Sequence, residues 1–180
     1  MTDIDSASTP DAVAAAFERH DAFAPTNGAF ALDSTAFDVT ATATETDGPK
    51  AGRFAVTVPV PTLSATVADD DDVAPVVEDG WFDTFERRLE DAFDVAETSD
   101  GDDPVLDRGP DEVRVELTYE AWDADRGVSD AKALAEYVEG TWLQGLIPGY
   151  DYVGVAAQLR AAASQNTVGE DGTDRSGTPL

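Results

Sequence analysis

The chain has 180 residues, with 11 Lys and Arg against 38 Asp and Glu and a formal net charge of −27. Hydrophobic residues make up 42%, including eight Phe, four Tyr and three Trp; that is enough for one core in a single domain and excludes an acidic disordered chain, while zero cysteines exclude disulfides, thiolate nucleophiles and cysteine-ligated zinc. Nucleic acid binding is disfavoured, because Arg53, Arg87, Arg88, Arg108, Arg114 and Arg126 are scattered and form no basic stripe to neutralise phosphates.

Residues 1–8 are expected to be disordered, and the opening MTDIDSASTPDAV has neither the basic start nor the apolar core of a signal peptide. Thr9, Pro10 and Asp11 read as an N-cap, a first-turn proline and an acid matched to the helix dipole, which predicts a helix to about Phe23 with Val13, Phe17 and His20 on one face. Period-two alternation follows at Ala29 to Asp33 and at Phe37, Val39, Ala41 and Ala43 against Asp38, Thr40, Thr42 and Thr44. After the turn DGPK it resumes at Phe54, Val56 and Val58, predicting an antiparallel meander covered on one face. The uncharged run from Phe54 to Ala68 falls short of the ~20 residues that span a bilayer and contains Pro59 and Pro61, so no membrane association is expected.

Asp69 to Asp72 read as a hydrated loop ahead of a helix. A calcium loop needs Gly at its sixth position and Glu at its twelfth, and this segment has Ala74 and Gly80 there. Val77, Trp81, Phe85, Leu89 and Phe93 recur at four-residue steps and predict an amphipathic helix. The acidic loop ETSDGDDPVLDRGPD leads to the clearest strand, where Val113, Val115, Leu117 and Tyr119 alternate with charged and polar residues. Ser129 is expected to cap a helix carrying Leu134, Val138 and Trp142 and ending near Gly145. IPGY reads as a type II turn, followed by a last helix from Asp151 to about Ser164, and residues 165–180 read as a disordered tail.

The order is helix, three strands, helix, strand, room for one more short strand, then helix. One-sided strands need a cover, so the fold expected for residues 9–164 is a single α+β domain, a two-layer sandwich of mainly antiparallel sheet with helices packed on one face. This order is similar to that of type III secretion chaperones and related small bacterial α+β domains. Acids occur in nearly every segment, and Lys50 and Lys132 are the only lysines against nine arginines. This composition resembles that of haloarchaeal proteins in a KCl-rich interior, where near 1 M salt a Debye length of about 3 Å screens self-repulsion. The chain as a whole, including WFDTFERRLEDAF and EGTWLQGLIPGYDY, resembles small uncharacterised haloarchaeal domain families. The resemblance implies a halophilic, cytoplasmic protein whose acidic surface is hydrated by salt cations, and it carries over no site.

No glycine-rich phosphate loop, GxSxG, HExxH or dinucleotide fingerprint is present, and no catalytic residue or cofactor is assigned. His20 is expected to be a boundary residue of its helix. In WDADRGVSD, Asp123, Asp125 and Asp130 sit at a strand-to-helix turn, and Asp123 and Asp125 have the alternate spacing of metal ligands. The glycine is fifth and the twelfth residue is Leu134, so turn chemistry accounts for them better than a calcium loop. In GTWLQGLIPGYDY, Trp142, Leu146, Ile147, Tyr150 and Tyr152 bunch around a helix end, and aromatics with a polar tip are favoured at interfaces. Trp142 is expected to be buried and one tyrosine exposed beside Ile147, forming a partner-binding surface. The function expected is a non-catalytic protein-interaction or chaperone-like module with a protein partner. The alternative is a carboxylate-based, Mg-dependent enzyme or a small-ligand-binding domain.

Overall fold

A computed structural model describes residues 8–98 and 101–169. The alternating segments become strands β1 (Phe23–Thr26), β2 (Ala29–Leu32), β3 (Thr40–Thr44), β4 (Gly52–Pro61), β5 (Val105–Arg108) and β6 (Glu112–Ala121). They form one wholly antiparallel six-stranded sheet in the order β1-β2-β3-β4-β6-β5. The four helices are α1 (Asp11–Arg19), α2 (Pro75–Leu89), α3 (Ala124–Gln144) and α4 (Gly154–Gly169).

Period two decides which face is covered. Phe54, Val56, Val58 and Val60 of β4 and Val113, Val115, Leu117 and Tyr119 of β6 are fully buried, whereas Arg53, Arg114 and Glu116 stay exposed. Helix α3 lies across the inner face of β4 and β6, with α1, α2 and α4 packed around it. The result is the expected α+β class. Among the described residues, no helix is long and apolar enough to cross a membrane.

Several boundaries differ from the sequence reading for identifiable reasons. Helix α1 stops at Arg19 rather than Phe23, and Thr9 does not cap it, since Pro10 holds the N-cap position with no side-chain bond. Phe23 instead opens β1, a strand missing from the reading, and its ring meets Phe17 edge-on at 5.0 Å. Asn27 (φ 36°) and Gly28 (φ 81°) form a two-residue left-handed turn between paired Thr26 and Ala29, the geometry that matches the twist of a hairpin. Helix α2 ends at Leu89, and Ala92–Val95 form a separate 3-10 turn.

Strand β5 lies within the segment read as an acidic loop and pairs with β6. Helix α3 begins at Ala124, well ahead of Ser129, because Asp123 caps it by accepting the Arg126 N–H at 3.0 Å. Gly149 has φ 102°, as a type II turn requires at that position. Helix α4 starts at Gly154 and continues to Gly169, so residues 165–169 are helix rather than tail. Its hydroxyls fit this, because Ser164 and Thr167 donate to the carbonyls of Arg160 and Ser164 within the helix. Residues 1–7 and 170–180, which hold the rest of both expected tails, lie outside the described residues.

The ladder also accommodates two prolines in a central strand. Pairing with β3 ends at Thr40 opposite Thr57, so Pro59 and Pro61 lie beyond it while still facing Arg114 and Glu112 of β6. A residue without an N–H is tolerated where no neighbouring strand needs the donor.

Candidate functional site: a groove between the second and third helices

Trp81, Phe85 and Leu89 point one face of α2 into the core, and the Trp81 and Phe85 rings stack at 5.6 Å. The helix is pinned by Glu78, a buried carboxylate. It accepts the backbone N–H groups of Leu63 (3.1 Å) and Ser64 (2.9 Å) and the Ser64 hydroxyl (2.7 Å). Helix α3 is held likewise: buried Asp130 accepts the N–H groups of Glu97 (2.8 Å) and Thr98 (3.0 Å). These two acids tether loops to helices: nothing in the sequence sets Glu78 apart from the solvated acids around it, and Asp130, which WDADRGVSD places beside the metal-spaced pair, serves as a tether instead.

Between α2 and the last turns of α3 lies an open hollow of about 330 Å³, walled by Val76, Val77, Trp81, Gly145 and Ile147 and floored by Gly80 and Thr84. A second hollow of about 290 Å³, beside Tyr137, Gly140 and Thr141, shares Arg88 and Gln144 with the first. The two adjoin along the α2–α3 groove at these shared residues. Val76 is 76% exposed at its mouth. A Cβ added at Gly80 or at Gly140 would meet nothing within 4 Å, so neither glycine is demanded by packing inside the molecule. The Trp81 Nε1 donor is buried with no acceptor among the described residues. Such an orphan costs about 1–3 kcal/mol and is uncommon in folded proteins.

The residues singled out in sequence divide between core, turn and groove. Trp142 is fully buried, donates from Nε1 to the Pro61 carbonyl at 2.9 Å, and meets Phe37 edge-on at 5.1 Å. Ile147 is half-buried and reaches the groove, whereas Leu146 is half-buried outside its lining. The expectation of one exposed tyrosine is corrected, because Tyr150 and Tyr152 are both half-buried. Their rings meet edge-on at 6.4 Å, the Tyr152 hydroxyl donates to the Ile147 carbonyl at 2.6 Å, and Arg160 covers the Tyr152 ring at 5.0 Å. Burial raises the Tyr152 pKa, against the opposing pull of the Ile147 bond and the Arg160 charge.

The turn is fastened to the aspartate loop. Asp71 accepts the Asp151 N–H at 2.8 Å, so one member of the acidic run is a latch as well as solvated surface. Asp123 is the α3 cap and Asp125 pairs with Arg19 at 2.7 Å. Among the described residues, no group of three or more His, Cys, Asp and Glu is placed to hold a metal ion. His20 is half-buried, and its Nδ1 accepts the Ala22 N–H at 3.3 Å, a local role at the helix end.

Residues 18–162 match the model of a family described as a family of unknown function, DUF5813. No curated protein and no solved structure matches the chain.

Proposed function

The chain belongs to DUF5813, a family of unknown function, so its role has to be read from its own surface, and we propose that it is a non-catalytic interaction module that receives a segment of a partner protein in the α2–α3 groove. The observation that carries this reading is the apolar groove itself, which no described residue covers and whose lining includes Val76, 76% exposed. Helix-lined grooves with apolar anchors are a recurrent mode of peptide recognition. Gly80 and Gly140 support it, because a glycine inside a helix costs about 0.5–1 kcal/mol relative to alanine and here gives no internal packing in return. Space for an approaching backbone is the return.

The groove is tested by panning the folded chain in molar KCl against a displayed library of random peptides. The expected result is enrichment of peptides that bind the chain and lose binding to Val76→Asp, a change at an exposed site that leaves the core intact. Failure to recover any peptide sensitive to Val76→Asp sinks the reading. The same reading places the module in a salt-rich cytoplasm, since 38 acids repel one another once screening is removed. Thermal unfolding followed by circular dichroism should move to lower temperature as KCl falls, and an unchanged midpoint would refute the halophilic part.

A further inference from the structure

Resting on that groove, we propose that its partner segment is an acidic amphipathic helix, recognised by apolar anchors at one end and by a carboxylate on Arg88 at the other. The groove is chemically polarised. Its α2 end is apolar, with Val76, Val77 and Ile147 around Trp81, and its far end holds Arg88 with Tyr137 and Thr141. Val77 and Arg88 are about 17 Å apart along the helix axis, a span of about three helical turns. An occupant must therefore be about that long and carry its apolar and charged groups at separate positions.

The charge follows from how the basic residues are used. Arg19, Lys50, Arg53, Arg108, Arg126 and Lys132 are each held by a carboxylate of the same molecule. Arg87, Arg88, Arg114 and Arg160 have no ion pair among the described residues, and of these Arg88 alone lines the two hollows, with Asp91 beside it in the second. Among the described residues it is also the only charge lining the apolar hollow. A guanidinium presents a planar fork that suits a carboxylate, and it becomes partly desolvated when an apolar segment covers the groove. In molar salt, screening over about 3 Å removes long-range attraction, so only a carboxylate in direct contact gains from Arg88. The charge contact thus acts as a reader of one position and not as general steering.

Two helices with small residues between them leave a channel that a third helix fills. Gly80, Thr84 and Arg88 recur at four-residue steps on α2 and line the first hollow with Gln144, while Gly140 and Thr141 of α3 line the second with Arg88 and Gln144. An elongated segment laid over both hollows fits this surface better than a compact ligand, because the two adjoin at Arg88 and Gln144.

The test uses peptides recovered through their dependence on Val76, so a failed groove and a failed charge preference are distinguishable. A recovered peptide is measured by fluorescence anisotropy in molar KCl against the unmodified chain, Arg88→Gln and Arg88→Glu, with each peptide carboxylate replaced in turn by the amide or by lysine. The expected result is one carboxylate whose removal weakens binding about fivefold to tenfold and has no further effect in Arg88→Gln. A peptide with lysine at that position should regain binding to Arg88→Glu. Arg88 is an exposed residue, and unchanged thermal unfolding of both variants confirms that the fold is not at issue. Peptides that depend on Val76 but show no acidic bias and no coupling to Arg88 overturn this inference while leaving the groove. Dimers of the chain itself that are lost on Val76→Asp would show that a second copy is the occupant and overturn it too.

Discussion

The two ends of α3 are packed in opposite ways, and one glycine at each end makes the contrast measurable. At the start, a Cβ on Gly127 would lie 2.3 Å from a ring carbon of Phe54, and the Tyr119 hydroxyl donates to the Gly127 carbonyl at 2.5 Å. Near the end, a Cβ on Gly140 would touch nothing. The first glycine exists so that α3 can approach β4 and β6, while the second keeps a surface open. Glycine in a helix thus has two meanings, and only the surroundings tell them apart.

The largest expected effect tests whether openness at the end of α3 reaches the core. Trp142→Ala should cost about 3–5 kcal/mol in denaturant unfolding, as for a fully buried tryptophan. A cost below about 1 kcal/mol would mean that the open end is loose throughout. At the sealed end, Gly127→Ala should cost about 1–3 kcal/mol through overpacking. Phe54 cannot easily yield, because its ring is stacked on Tyr119 at 5.2 Å.

A smaller effect comes from Tyr119. Its hydroxyl bond is worth about 0.5–1.5 kcal/mol, and Tyr119→Phe should lose that amount. The pH dependence has a definite sign. Burial, with the Asp130 charge adding to it, raises the folded pKa of Tyr119 well above its ordinary value. Its contribution is therefore complete below the unfolded value of about 10 and is lost as pH rises through the higher folded value. Wild-type stability, measured by urea unfolding at a series of alkaline pH values, should fall above pH ~10, and Tyr119→Phe should fall less. The smallest change has the opposite direction: Gly140→Ala should raise stability by about 0.4–1 kcal/mol while weakening whatever enters the groove. Destabilisation by Gly140→Ala would show that the two glycines are alike and erase the contrast.

What the sequence made legible follows the strength of its periodic signals. Val113 to Tyr119 could only be a half-covered strand, and the four-residue steps from Val77 to Leu89 gave α2 its buried stripe. Two strands were missed for different reasons. β1 was hidden because the helix signal was carried on to Phe23, although Asn27-Gly28 is a hairpin turn in its own right. β5 is four residues long and largely exposed, so alternation had almost nothing to act on.

Ser129 marks the start of α3 in the sequence because Asp123 there reads as a turn residue; in the fold Asp123 is the cap, which carries the helix back to Ala124 and sets Gly127 against Phe54. The groove itself was only touched by the sequence, through Ile147. Its other parts come from two helices separated by residues 90–123, and an isolated glycine in a helical pattern reads as tolerated rather than useful.

The prolines of the sheet bear on a hazard that high salt makes worse. When charges are screened and apolar attraction is strengthened, a −27 surface no longer keeps molecules apart, and bare strand edges become templates for aggregation. The end of β4 beyond β3 is bordered by Ala36, Phe37 and Asp38, and Pro59 and Pro61 offer no donor there to an incoming strand from another molecule. Pro25 sits in β1, the edge strand at one side of the sheet, and charged Asp107 and Arg108 occupy β5 at the other. A proline's missing donor is a property of the backbone, and no change in ionic strength restores it.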